Sequence, residues 1–136
     1  MNDCFYFDTS IWIDIYDKRG ENGEMAKRLV EKIIQEDSII IYSDMVMVEF
    51  KKVGFSDYEI NQILNVAKPD NLKRVHLTKI QAEEAKRLTK QRNIPFGDAM
   101  HAILSREHEA QLVSRDEKDF NKLKDITLMK KPEELV

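Results

Sequence analysis

The chain has 136 residues, 42% hydrophobic and 35% charged, with a net charge of −3. That is enough apolar material for one core, which excludes a disordered chain, and the single cysteine, Cys4, excludes an intramolecular disulfide and fits a reducing compartment such as the cytoplasm. No apolar run is long enough to span a membrane, and Asp3 and Asp8 stand where a signal peptide would carry basic residues.

In chain order, residues 4–7 read as a short apolar strand ending at Asp8, with Cys4 as a small buried hydrophobe. Trp12 and Tyr16 follow on what the spacing makes one helical face, with core packing as their expected role. A loop is expected at Gly20-Glu21-Asn22-Gly23. An amphipathic helix over 24–36 then carries Met25, Leu29, Ile33 and Ile34 on one side. Residues 38–42 hold the run Ile39-Ile40-Ile41, which suits a strand buried on both faces of a parallel sheet. Ser43 or Asp44 is placed to cap a helix over 45–52, and Ser56 to cap another over 57–67.

A third strand is predicted at 73–77. Thr78 and Gln81 have the spacing of a capping box, opening a helix that runs to Arg92. Asn93 and Pro95 break the chain, and Gly97-Asp98 opens a helix to about residue 109. A strand at 111–114, a short helix near 117–123 and a last strand at 126–130 complete the pattern. Strands alternating with helices imply an α/β fold in three layers. Its central parallel sheet has four to five strands, with helices on both faces. Sites in such sheets form at the carboxyl ends of strands, where the strand order reverses.

Two acids fall at such ends, Asp8 after the first strand and Asp116 after the fourth. Asp98 stands at a helix start, where it can equally be a cap, and Glu49 lies inside a helix, where it can equally be a solvated charge. Taken together they suggest more. Carboxylates repel at short range, and a hard divalent cation such as Mg²⁺ or Mn²⁺ offsets that repulsion. The charge distribution agrees. Residues 1–50 hold 5 Lys/Arg against 11 Asp/Glu, whereas residues 68–92 hold 8 basic residues against 3 acidic. An acidic half beside a basic stretch suits a protein that binds cations and polyanions together, although the basic stretch alone is equally a solvated helix face.

Four segments carry a resemblance. They are Phe7-Asp8-Thr9-Ser10-Ile11-Trp12, Val46-Met47-Val48-Glu49-Phe50, Ile94-Pro95-Phe96-Gly97-Asp98-Ala99-Met100-His101-Ala102, and Leu112-Val113-Ser114-Arg115-Asp116-Glu117-Lys118-Asp119-Phe120. In this order and context the chain resembles the PIN-domain family, and most of all its VapC-type toxins, over nearly its whole length, as one domain spanning 1–136. The resemblance implies a metal-dependent endoribonuclease whose Mg²⁺ or Mn²⁺ is held by Asp8, Glu49, Asp98 and Asp116. Asp119 matches an additional acid, and Ser114 a small hydroxyl residue that steadies the site. It also implies in-line attack of water on the phosphodiester, a 5′-phosphate product, no covalent intermediate, and often a small antitoxin as partner.

Around this quartet, Thr9 and Ser10 either support a carboxylate or cap the next turn. Lys86, Arg87, Lys90 and Arg92 either hold RNA phosphates or complement a helix C-terminus. His101, three residues after Asp98, is expected to be a packed or partly exposed histidine rather than a ligand. Phe50, Phe55 and Tyr58 are read as apolar surface for a homodimer. The competing functions are an RNA-processing nuclease of the same family without an antitoxin, a haloacid-dehalogenase-like phosphotransferase and a receiver-like regulator. The phosphotransferase would want a second Asp where Ser10 stands, and the receiver would want paired acids before Asp8.

Overall fold

The computed structural model describes residues 3–17 and 20–136. Its five strands are β1 (Cys4–Phe7), β2 (Ile39–Ser43), β3 (Leu72–Val75), β4 (Gln111–Val113) and β5 (Met129–Lys130). They form one parallel sheet in the order β3-β2-β1-β4-β5. The helices are α1 (Thr9–Tyr16), α2 (Gly20–Gln35), α3 (Asp44–Val53), α4 (Asp57–Leu64), α5 (Lys79–Arg92), α6 (Phe96–Glu107) and α7 (Glu117–Phe120), with short 3₁₀ turns at 69–71, 121–123 and 132–134.

Alternate residues of β1 face opposite layers, as the pleat requires. Phe7 packs its ring 5.2 Å from that of Trp12 in α1, while Tyr6 packs 5.3 Å from His101 in α6. Right-handed crossovers therefore bring α1 and α2 over one face and α5 and α6 over the other, the three-layer α/β arrangement expected. Trp12, Tyr6, Phe7, Phe50, Ile40 and Ile41 are among the largest fully buried side chains. Phe50 is thus core, not dimer surface. It packs edge-on against Phe55. Tyr58 is exposed.

Several boundaries move, each for a physical reason. The expected loop at Gly20-Glu21-Asn22-Gly23 is instead the first turn of α2, where Gly23 is buried. Tertiary contact there outweighs the helix penalty of glycine, about 1 kcal/mol. The third strand stops at Val75 rather than 77, because the Asp44 carboxylate accepts from His76 Nδ1 at 3.1 Å and from the Leu77 amide at 3.4 Å. All three capping expectations hold: Ser43 accepts from the Met45 amide, Ser56 accepts from the Glu59 amide at the start of α4, and Thr78 and Gln81 form the capping box of α5. Asn93, in the left-handed conformation at φ 53°, ends α5.

The strand order reverses at β1, which lies between β2 and β4. The Asp8 amide donates to the Val113 carbonyl at 3.0 Å. The carboxyl ends of β1 and β4 therefore lie side by side, and this is where the acids gather.

Candidate metal centre

Asp8 leaves β1 buried, at 7% exposure. Its Oδ2 accepts from Ser114 Oγ at 2.8 Å and from Ser10 Oγ at 3.3 Å. Ser114, the residue after β4, also accepts from the Asp116 amide at 3.1 Å. One hydroxyl thus ties together the acids at the ends of two neighbouring strands. Asp116 in turn caps α7 by accepting from the Asp119 amide at 3.1 Å.

Glu49 reaches in from α3. Its Oε1 accepts from Thr9 Oγ1 at 2.5 Å and from His101 Nε2 at 2.7 Å. Burial works to raise this carboxyl, but the His101 and Thr9 hydrogen bonds outweigh it and hold its pKa below the ordinary carboxylate range. Burial likewise opposes charge on His101, and Glu49 outweighs it, so the imidazole pKa lies above its usual value.

The acids form two adjacent groups. Ligand atoms of Asp8, Glu49 and His101 lie within 4.8 Å of one another, and so do those of Asp98, Asp116 and Asp119. Asp98 does not cap α6. Pro95 is the N-cap residue, which makes Asp98 the third residue of the helix, and its carboxyl shares a hydrogen bond with Asp119. Burial first, then the charges of Asp8 and Asp116, pushes the Asp98 pKa up to about 8. Asp116 is raised too, by burial and by Asp119. These carboxylates destabilise one another's ionised forms, and the donor set is oxygen throughout except for one imidazole. That chemistry fits a hard divalent cation. All four acids expected from the sequence are therefore brought together, with Thr9, Ser10, Ser114 and Asp119 in contact with them.

Sequence reading missed the part played by His101, Tyr6 and Ser43. His101 is packed, as expected, but it packs on the acids. The available signals were its spacing from Asp98 and a tyrosine inside the apolar run of β1. Gly97 was also missed. A Cβ there would lie 2.3 Å from Glu49 Oε2. Gly97→Ala favours the helix by about 1 kcal/mol yet displaces Glu49 from Thr9 and His101. The lost Glu49 contacts leave the buried His101 Nε2–H without its acceptor, so the expected outcome is a melting temperature no higher than wild type with Mn²⁺ affinity lowered at least about tenfold, read by a thermal melt and calorimetric titration.

The basic residues of α5 divide. Lys86, Arg87 and Lys90 line, with Thr89 and Phe96, a shallow cavity of about 570 Å³. Arg92 instead donates to both carboxylate oxygens of Asp125, at 2.7 and 2.9 Å, and to the Lys122 carbonyl.

A parallel α/β fold with carboxylates converging at its switch point defines a class, and the sequence places the chain within it. The family model of the PIN domain matches residues 5–126, and the chain belongs to the PIN domain family. No curated protein sequence matches the chain. Among solved structures it is similar to VapBC2 from Rickettsia felis, crystallised with a DNA fragment from its promoter. The TM-score is 0.69 at 17% identity, covering 94% of this chain and 98% of that one. It is also similar to a toxin–antitoxin complex from Klebsiella pneumoniae, with a TM-score of 0.62 at 21% identity, covering 94% and 97%. At these identities the likeness shows the fold.

Proposed function

We propose that the chain is an endoribonuclease dependent on Mg²⁺ or Mn²⁺, and the toxin of a toxin–antitoxin pair. Asp8, Glu49, Asp98 and Asp116 are its cation ligands. One observation carries this reading: the four acids converge at the carboxyl ends of β1 and β4, with Asp98 pushed up to about 8. A bound divalent cation would polarise a phosphodiester and make an attacking water more acidic.

The chain's own residues supply the rest. Ser114 and Ser10 fix the rotamer of Asp8, and Thr9 and His101 fix Glu49. The hydrogen bond between Asp119 and Asp98 holds that carboxyl beside Asp116. Lys86, Arg87 and Lys90 are the RNA phosphate contacts. Arg92 is engaged with Asp125, so we assign it the weakest part in that path. Water adds in line to phosphorus, the 3′-oxygen leaves, and the product carries a 5′-phosphate. The likeness to the Rickettsia felis VapBC2 structure and to the Klebsiella pneumoniae toxin–antitoxin complex supports an antitoxin here. In the acidic pocket, a partner's arginine would pair with the carboxylates and compete with the cation. The exposed side chains of Val53 and Tyr58 support a homodimer through the α3–α4 face.

The test is incubation with end-labelled RNA and with the same sequence as DNA. Mn²⁺-dependent scission of the RNA, with 5′-phosphate ends, is the expected result. Acid-labile phosphorylation of Asp8, or no scission with either metal, would contradict it. Lys86→Ala with Lys90→Ala is expected to weaken RNA binding and lower the slope of log K against log[salt] by about 1–2, at unchanged Mn²⁺ affinity.

A further inference from the structure

A chain of buried hydroxyls runs from the sheet to the metal centre and ends on Glu49. The Met45 amide donates to Ser43 Oγ at 3.2 Å. Ser43 Oγ lies 2.7 Å from the Tyr6 hydroxyl, which lies 2.6 Å from His101 Nδ1. The other ring nitrogen, Nε2, lies 2.7 Å from Glu49 Oε1 and 3.6 Å from Asp8 Oδ1. Tyr6, Ser43 and His101 are each 0% exposed, so no solvent competes for these bonds.

Hydrogen-bond directions follow from what each group can offer. Glu49 is an ionised acceptor, so the shared proton sits on Nε2 and the imidazole donates. With the ring neutral, Nδ1 accepts from Tyr6, Tyr6 accepts from Ser43, and Ser43 accepts from the Met45 amide. Every buried group is then satisfied. With the ring charged, Nδ1 donates to Tyr6 instead. In both states the Nε2 proton points at Glu49.

We propose that His101 is a positioning residue for Glu49: it holds that carboxylate against Asp8 through Nε2–H, and its own ring is locked by the Tyr6–Ser43 hydroxyl pair on Nδ1. The proposal deepens the metal-centre reading and rests on it. It separates His101 from the ligands themselves. A ligating Nε2 must lose its proton, whereas a positioning Nε2 keeps it. Glu49 sits on α3 and His101 on α6, so the bond also fixes the distance between two helices that contribute acids.

Two measurements on the intact protein test this without RNA, so failure of ribonuclease activity and failure of the positioning role are distinguishable. In ¹⁵N-histidine-labelled wild type, the Nε2–H resonance of His101 is expected to persist as Mg²⁺ is added to saturation. Tyr6→Phe, which removes one hydroxyl and leaves the ring volume, is expected to shift the Nδ1 resonance and retain the Nε2 proton. Calorimetric Mn²⁺ titration gives the second reading. His101→Ala is expected to lower affinity about 10–100-fold, and His101→Gln, whose amide can donate to Glu49, to restore most of it. Loss of the Nε2 proton on Mg²⁺ addition would overturn the proposal and make His101 a ligand. Wild-type Mn²⁺ affinity in His101→Ala, or equal weakness in Ala and Gln, would also overturn it. Should the His101 variants fail to fold, the wild-type and Tyr6→Phe spectra still decide.

Discussion

Asp8→Asn is expected to lower RNA cleavage by on the order of a thousandfold, about 4 kcal/mol of transition-state stabilisation. It is also expected to leave the melting temperature within a few degrees of wild type. Asp8 is the hub of the site. It accepts from Ser114 and Ser10, approaches His101 Nε2 at 3.6 Å and contributes to the raised pKa values of both Asp98 and Asp116. An amide keeps the shape and an acceptor oxygen for the serine hydroxyls, and the backbone bond to Val113 is unaffected. Fold is therefore retained while the charge that two groups of acids share is lost. Circular dichroism melts beside a single-turnover cleavage assay check both halves. Normal cleavage by this variant would remove Asp8 from the site.

Asp98→Asn is expected to change the pH dependence of stability most. The folded-state pKa of Asp98 is about 8, against an ordinary 3.8. Between those values the folded protein binds a proton that the unfolded chain has released. Metal-free wild type therefore loses stability as pH rises from about 4 to about 8, and the loss levels off above that. Asparagine has no such proton. Discounted for the solvent that still reaches this half-buried carboxyl, the variant should gain about 2 kcal/mol over wild type at pH 8.5 and nothing at pH 4. Because Pro95 is the N-cap residue and Asp98 caps nothing, no helix contact is lost. Mn²⁺ should raise the wild-type melting temperature more than the variant's, since a ligand stabilises only the state that binds it. Melts across pH, with EDTA and with millimolar Mn²⁺, read both effects. Parallel pH curves for the two proteins, with equal shifts by Mn²⁺, would contradict the electrostatic account.

What the sequence could reveal followed the range of the interactions. The apolar runs at 4–7 and 39–41 and the capping pairs Ser43–Met45 and Thr78–Gln81 are local, and they are where the structure has them. The acids were legible because Asp8 and Asp116 end strands, and motif order supplied Glu49 and Asp98. The Tyr6–His101–Glu49 chain joins residues 95 and 52 apart, so no local pattern announces it. The same limit hid the Asp125 partner of Arg92 and the burial of Phe50 between helices. Gly97 is informative only once Glu49 is known to lie against it.

The most direct measurement is single-turnover cleavage of a 5′-labelled RNA by wild type and Asp8→Asn, in Mn²⁺, in EDTA, and after Mn²⁺ is restored. The account predicts wild-type scission in Mn²⁺, none in EDTA, full recovery on restoring the metal, and 5′-phosphate ends on the released fragment. For Asp8→Asn the expected rate is lower by about a thousandfold in Mn²⁺, both before EDTA and after the metal is restored. Scission by wild type that survives EDTA, or equal rates for the two proteins in Mn²⁺, would contradict it.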